Sequence, residues 1–379
     1  MQPMTMRERM LAVLRGDSHD RVPFCTYGGM EGLPFEEITS VLGPNRWGQL
    51  RYAMIHRAVY PHCRFESIDY TDADPIYHTD PLHEAIGMKF PAPPPASEGR
   101  WQLNTIHTSV GSISENRVFE PAYGSSTARE HFIETPQDYE VFWSLLEDAV
   151  IEPDYDRYLR EDALAGDNGI AMAWIDRTPY QQLWVEWVGL DSLALHLLDY
   201  PDHVQHTMAL LEQRERRLFE IAANSPAPFI EMPDNITAPA IGAQRFRKYC
   251  VPLYNELAHM LAERDALVFV HMDGELQGLW DDIANSGVGG IDSFTPAPDT
   301  STSIEDAIAA CPNMRWWVNF PASVHLRTPE EVRAVADCIL RSAGHTGRLQ
   351  LQITENIAAG AWRTNLPIIA DAIEAFGIP

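Results

Sequence analysis

The polar and apolar positions of the chain alternate between two periods. Short apolar runs at 169–174, 229–232, 266–270, 290–294, 316–319 and 349–353 read as buried strands. Between them lie stretches striped at helical spacing, such as Leu253, Leu257 and Leu261, or Val332, Val335 and Ile339. Several of these stretches open on helix-start signals: Thr135-Pro136-Gln137-Asp138, Thr302 with Glu305, and Thr328-Pro329-Glu330-Glu331. The patterning predicts helices over about 189–199, 201–224, 275–286 and 302–310, one opening at Thr328, and a closing one near 365–376. Short strands each followed by a capped helix imply parallel βα units, and their repetition favours a closed (β/α)₈ barrel over an open sheet.

The first part of the chain is less regular. Thr5-Met6-Arg7-Glu8 has capping-box spacing, Met10, Leu11 and Leu14 form a stripe, and Gly16 suits the stop of a helical extension ahead of the barrel. Residues 45–90 read as a helical stretch followed by an irregular, aromatic and acidic region from Tyr70 to Tyr77. Pro91 and Pro93 to Pro95 mark a loop. Alternating segments broken at Gly111-Ser112, with residues 105–110 as one arm, then predict a β-hairpin excursion within 90–135. The expected organisation is a single barrel domain over 1–379.

Composition narrows the class. A chain of 379 residues that is 45% hydrophobic can bury a large core without a disulfide or metal staple. Its 54 acidic and 28 basic residues give a formal charge of −26, which argues against nucleic acid and anionic membranes as partners. The five cysteines (Cys25, Cys63, Cys250, Cys311, Cys338) are scattered without CxxC spacing, as expected of reduced thiols. The first twenty residues lack a signal-peptide apolar core, and no apolar run approaches the ~18 residues that span a bilayer, so a cytoplasmic location is expected. No GxGxxG, GxSxG, Walker-type or HExxH motif is present.

Barrel enzymes take their catalytic groups from the C-terminal ends of different strands. The ionisable or polar strand ends here are Asp176/Arg177, Glu231/Asp234, His271/Asp273, Asp292, Asn319 and Glu355. In His271-Met272-Asp273, positions i and i+2 point the same way, so imidazole and carboxylate can converge on one metal or one substrate proton. With Glu355 they make an oxygen–nitrogen ligand set suited to zinc or another divalent ion. His271, Asp273 and Glu355 are therefore the candidate catalytic and metal-binding residues, and Glu231, Asp234, Asn235, Asn319 and Arg177 the candidate substrate-binding ones. Plainer readings stay open: a His–Asp hydrogen bond that braces the strand end, a capping Glu355, an Asx turn at Asp234-Asn235 and an Asp176–Arg177 ion pair. Trp184 and Trp187 read as core, and Trp316-Trp317 as one ring inside the barrel and one outside. Cys25 reads as a small buried residue.

Motif order carries a family resemblance. The opening Met4-Thr5-Met6-Arg7-Glu8-Arg9-Met10-Leu11 through Gly16 and Asp20-Arg21-Val22-Pro23 resembles the start of the uroporphyrinogen decarboxylase superfamily, which includes corrinoid-dependent methyltransferases. Similar, in order, are the hairpin before Glu134-Thr135-Pro136-Gln137-Asp138, Asp234-Asn235, His271-x-Asp273-Gly274, Trp317-Val318-Asn319-Phe320-Pro321 and Thr354-Glu355-Asn356. True uroporphyrinogen decarboxylases carry an arginine-rich segment after the first strand. Here Phe24-Cys25-Thr26-Tyr27-Gly28-Gly29 supplies no charge-assisted contact for a polycarboxylated tetrapyrrole. The resemblance is therefore closer to the methyltransferase branch. That branch commonly holds zinc through His-x-Cys and a distant Cys; His271 matches, Asp273 replaces the first Cys, and no Cys lies near Glu355. A His/Asp/Glu set implies a harder ion, suited to an oxygen or nitrogen substrate.

The resemblance thus implies a methyltransferase moving a methyl group from a small O- or N-methyl compound to a corrinoid. The corrinoid would be free or on a partner protein, since the chain has no DxHxxG motif. Barrels of this superfamily often dimerise, which leaves a homodimer open. The alternatives are a cobalamin-independent decarboxylase or lyase acting on a small carboxylated substrate, and a non-catalytic binding protein on the same fold.

Overall fold

The computed structural model describes residues 3–28, 33–71, 75–78, 100–120, 125–354, 357, 358 and 360–378. Its strands in chain order are β1 (Phe24–Tyr27), β2 (Gly48–Met54), β3 (His56–Val59), β4 (Arg64–Thr71), β5 (Pro75–His78), β6 (Arg100–His107), β7 (Ser112–Glu120), β8 (Ser125–Glu130), β9 (Val150–Pro153), β10 (Gly169–Trp174), β11 (Phe229–Met232), β12 (Leu267–His271), β13 (Val288–Phe294), β14 (Arg315–Asn319) and β15 (Leu349–Ile353). Eight of them close a parallel barrel in the order β1-β15-β14-β13-β12-β11-β10-β2. The expected barrel is borne out. Among the described residues no helix is long and apolar enough to cross a membrane.

The chain forms two compact units. The first, Met1–Ile55, Tyr155–Ile175 and Ala222–Pro379, holds all eight barrel strands. The second, His56–Asp154 and Asp176–Ile221, carries the antiparallel β3–β9 pair and an antiparallel sheet in the order β5-β4-β6-β7-β8. The expected hairpin is its β6–β7 pair, turned where Thr108 N–H donates to the Gly111 carbonyl at 2.8 Å. Pro91 and Pro93 to Pro95 lie outside the described residues. Within the second unit Asp176 accepts from Arg214 at 2.9 Å and meets His56 at 3.2 Å, while Arg177 pairs with Glu186 at 2.5 Å. The Asp176–Arg177 pair considered from sequence is thus replaced by two separate pairs. Trp187 is core, packed on Phe142 and Phe132.

Two sequence expectations need correction. The helical stretch expected after residue 45 is instead β2, which pairs with β1 and β10 and closes the barrel. Gly48-Gln-Leu-Arg-Tyr-Ala-Met contains no β-branched residue, so propensity gave no strand signal; pairing on both sides and burial of Leu50 and Ala53 decide it. The helix expected over 275–286 is only Trp280–Ala284. The backbone before it crosslinks loops instead: the Glu275 carbonyl accepts from Ala238 N–H at 2.6 Å, and its carboxylate accepts from Ser301 N–H at 2.8 Å.

The N-terminal helix α1 (Met6–Arg15) has its expected capping box from Thr5 and Glu8, and ends on Gly16 at φ 74°. Met6, Met10 and Leu14 pack into the core with Leu50, Ile170, Phe229, Phe269 and Trp317. Arg7 donates to the Gly169 carbonyl and Arg315 to the Leu14 carbonyl, each at the first residue of a strand. This helix therefore stoppers the N-terminal mouth of the barrel and leaves the C-terminal mouth for chemistry. Trp317 packs inside on Phe269 at 4.5 Å, and Trp316 outside on Phe294 at 5.3 Å, as the strand alternation predicts.

Inside β13 a close approach sets one residue type. A Cβ on Gly290 would lie 2.2 Å from the Phe269 ring, itself fully buried against Phe229 and Trp317. Gly290→Ala is expected to destabilise the protein by about 1–3 kcal/mol through overpacking. A lowered urea midpoint at unchanged slope is the check, and an unchanged midpoint contradicts the packing account.

Candidate functional site

The C-terminal ends of β11, β12 and β13 put three ionisable groups side by side. Glu231 lies on β11, His271 ends β12, and Asp292 is its registered neighbour on β13. One ligand atom of each lies within 4.8 Å of the others, the one such His/Cys/Asp/Glu group among the described residues.

Asp292 is fully buried and heavily hydrogen-bonded. Its Oδ2 accepts from Tyr27 Oη at 2.5 Å and lies 2.8 Å from His271 Nδ1, and its Oδ1 accepts from Gln352 Nε2 at 2.8 Å. Gln352 is held in turn by Gln350, whose Nε2 donates to its Oε1 at 3.1 Å. Ser293 Oγ sits 2.6 Å from the Tyr27 hydroxyl. Consecutive residues of a regular strand point to opposite faces. Asp292 and Ser293 nevertheless meet the same hydroxyl, because the β13–β14 register shifts between Ile291 and Phe294 and Ser293 adopts φ 59°. A non-glycine residue in that region costs about 1–3 kcal/mol, which the surrounding hydrogen bonds must offset.

His271 is the cationic partner in this group. Its Nε2 lies 3.4 Å from Asp273 Oδ2, opposite the nitrogen that meets Asp292. Burial alone would push the imidazole toward its neutral form. The charge of Asp273 and hydrogen bonds to Asp273 and Asp292 outweigh it, so His271 titrates well above its ordinary range. Burial would likewise raise Asp273, but His271 beside it and Asn235 hold it below the usual carboxylate range. Burial, then the charge of Asp292, push the Tyr27 and Tyr52 hydroxyls far above theirs, so both keep their protons.

Glu231 is the anomaly. It is 0% exposed, and neither carboxylate oxygen has a hydrogen-bond partner. Burial, followed by the charge of Asp292 and then that of Asp234, pushes its carboxyl well up against the opposing pull of His271. Without a counter-ion this favours the neutral acid. With one, Glu231 offers two free oxygens.

The other expected residues have different fates. Asp234 accepts from Tyr254 Oη at 2.5 Å, and Asn235 has φ 52°, a turn conformation consistent with the Asx alternative. Ile236 N–H donates to the His271 carbonyl at 3.2 Å, tying this turn to the β12 end. Gly274 serves close approach, since a Cβ there would lie 2.4 Å from Thr237 Cβ. Asn319 is a buried brace: its amide nitrogen donates to Thr295 Oγ1 at 3.2 Å and its oxygen accepts from Thr354 N–H at 3.0 Å. Arg177 belongs to the second unit, paired with Glu186. Glu355 lies outside the described residues. Sequence reasoning missed Tyr27, Ser293, Gln350 and Gln352. The two glutamines had left a signal: polar residues at i and i+2 in an otherwise apolar strand both face inward.

The fold and site define an α/β barrel with an acid–imidazole centre at its C-terminal mouth. Residues 189–350 match the uroporphyrinogen decarboxylase (URO-D) family, in keeping with the resemblance carried by the motif order. No curated protein sequence matches the chain. Among solved structures, a methyltransferase from Methanosarcina mazei is similar over 98% of this chain and 99% of its own, at 14% identity and a TM-score of 0.53. A B12-independent methionine synthase from Shewanella sp. W3-18-1 is similar over 60% of this chain and 68% of its own, at 10% identity and a TM-score of 0.41.

The raised Glu231 carboxyl has a measurable consequence. A group whose folded-state pKa lies above its unfolded one stabilises fully below the unfolded value and loses that stabilisation as pH rises toward the folded one. In EDTA, wild type is expected to lose melting temperature relative to Glu231→Gln as pH rises above the ordinary Glu value of 4.5, with the difference fading below it. Parallel Tm-versus-pH curves for the two proteins would contradict this.

Proposed function

We propose that this protein is a methyltransferase that moves a methyl group from a small O- or N-methyl substrate to a corrinoid, free or on a partner protein. A divalent cation at Glu231 and His271 would assist. The observation that carries the reading is Glu231: a fully buried carboxylate with two unpartnered oxygens, beside an imidazole and other carboxylates at the catalytic end of the barrel. Whole-length likeness of fold to a methyltransferase supports it.

The residues fit such an ion. An isolated buried carboxylate is strongly disfavoured, so the empty lone pairs of Glu231 call for a proton or a cation. The donors within reach are oxygen and imidazole nitrogen, which favour a hard or borderline ion such as zinc or manganese. When bound, the cation supplies Lewis acidity at the oxygen or nitrogen that gives up the methyl group.

The chain's own residues do the rest. Glu231 and His271 hold the charge at the centre, and Asp273 and Asp292 orient the imidazole from either side. Tyr27 stays protonated, so its hydroxyl anchors Asp292 and takes no proton. As the methyl group departs, the leaving oxygen or nitrogen gains negative charge and takes up one proton. With His271 Nε2 committed to the cation, that proton comes from solvent, and Asp273 steadies the imidazole from the Nε2 side.

The test is direct. Elemental analysis is expected to find stoichiometric divalent metal in wild type and little in His271→Ala. Reduced cobalamin is then offered methoxyaromatics, methanol and methylamines, and methyl transfer is followed by absorbance. Wild type should transfer from at least one class, and His271→Ala should be slower by roughly 10²-fold or more. No transfer from any donor sinks the reading, and CO₂ release from a small carboxylate without a corrinoid would replace it with the decarboxylase alternative.

A further inference from the structure

We propose that Asp292, Tyr27, Ser293 and Gln352 form a positioning device that commits Nδ1 of His271 and leaves Nε2 as its ligating atom. Asp292 then serves the histidine and not the ion. The inference rests on the cation reading above and divides the labour within that site.

Proximity alone groups Glu231, His271 and Asp292 as one ligand set, but their hydrogen bonding separates them. A carboxylate presents about four lone-pair sites. On Asp292 three donors are close: Tyr27 Oη at 2.5 Å, Gln352 Nε2 at 2.8 Å and His271 Nδ1 at 2.8 Å, with Ser293 Oγ at 3.3 Å. Coordination by Asp292 would have to displace donors from Tyr27 or Gln352, both of them buried side chains. Glu231 has every site open. The nitrogen across the ring from Asp292 faces Asp273 at 3.4 Å. The cation-facing atoms are therefore the Glu231 carboxylate and His271 Nε2, with Asp273 beside that nitrogen.

The surrounding construction serves the same end. Tyr27 reaches Asp292 from β1, Gln352 reaches it from β15, and the bulge at Ser293 turns a second hydroxyl onto Tyr27. A histidine whose Nδ1–H is held by a carboxylate has one tautomer and one ring orientation, and is a better donor at Nε2. Tyr27 donates to Asp292 and its hydroxyl lies 3.4 Å from His271 Nδ1, so it works on the side of the ring away from Nε2.

Two measurements test this. Co²⁺ is titrated into wild type, Tyr27→Phe, Asp292→Asn and Glu231→Gln, reading affinity and the visible absorption of the bound ion. The His271 ring nitrogens are assigned by ¹⁵N NMR in the metal-free protein at alkaline pH and with zinc. The expected results are a severalfold loss of affinity in Tyr27→Phe and roughly 10–100-fold in Asp292→Asn, both with wild-type band positions. Glu231→Gln should shift the bands, and His271 should carry its proton on Nδ1. Bands altered by Asp292→Asn as they are by Glu231→Gln would make Asp292 a ligand and overturn the proposal. An unchanged Tyr27→Phe affinity, or a proton on Nε2, would overturn it too. If wild type binds no Co²⁺, the cation reading falls by itself, and the metal-free tautomer still decides the positioning claim.

Discussion

Two buried carboxylates face one imidazole at the C-terminal mouth of the barrel, and the way each is satisfied organises everything around them. A carboxylate removed from water needs hydrogen bonds or an opposite charge, or it takes a proton. Asp292 has its donors from β1, β12 and β15. Glu231, one strand beyond His271, has none. Evenly hydrogen-bonded carboxylates would brace a barrel; this asymmetry leaves one buried acid unsatisfied. Burial, and then the charge of Asp292, push the carboxyl without partners well above the usual range.

Such a centre needs a rigid frame, and the fold supplies it from below. The α1 helix fills the N-terminal mouth, and Phe229, Phe269 and Trp317 pack the layer above it. The polar groups stand on that apolar floor. Phe269 also explains why β13 carries glycine at 290: its ring lies where a side chain would begin. Two residues further on, the same strand bulges and turns Asp292 and Ser293 together onto Tyr27. Close packing and local strain on one strand thus place the carboxylate that holds His271.

Much of this was legible in the sequence, and what was not has physical causes. His271-x-Asp273 and Glu231 stand at the ends of apolar runs, so position alone marked them. The α1 capping box is local chemistry, readable over four residues. Strand β2 was invisible because Gly48–Met54 lacks β-branched residues and owes its conformation to two neighbours far along the chain. Tyr27 joins the site only through barrel closure, which sets β1 beside β15, and Ser293 turns onto it only through the bulge in β13. No local pattern encodes a tyrosine from residue 27 meeting a carboxylate at 292.

The donor set also constrains the chemistry. A site that activates a thiol gains from soft sulfur ligands, which match zinc and favour thiolate. Here the position two after His271 is Asp273, and no cysteine joins the group among the described residues. Cys25 is buried on β1, where burial and then the charge of Asp292 push its thiol well above the ordinary range. It stays protonated, and a protonated thiol is a poor ligand and a poor nucleophile. Oxygen and imidazole remain, and they favour a harder, more Lewis-acidic ion. Such an ion suits a substrate whose departing atom is oxygen or nitrogen, because polarising that atom is the step a soft thiolate site performs least well.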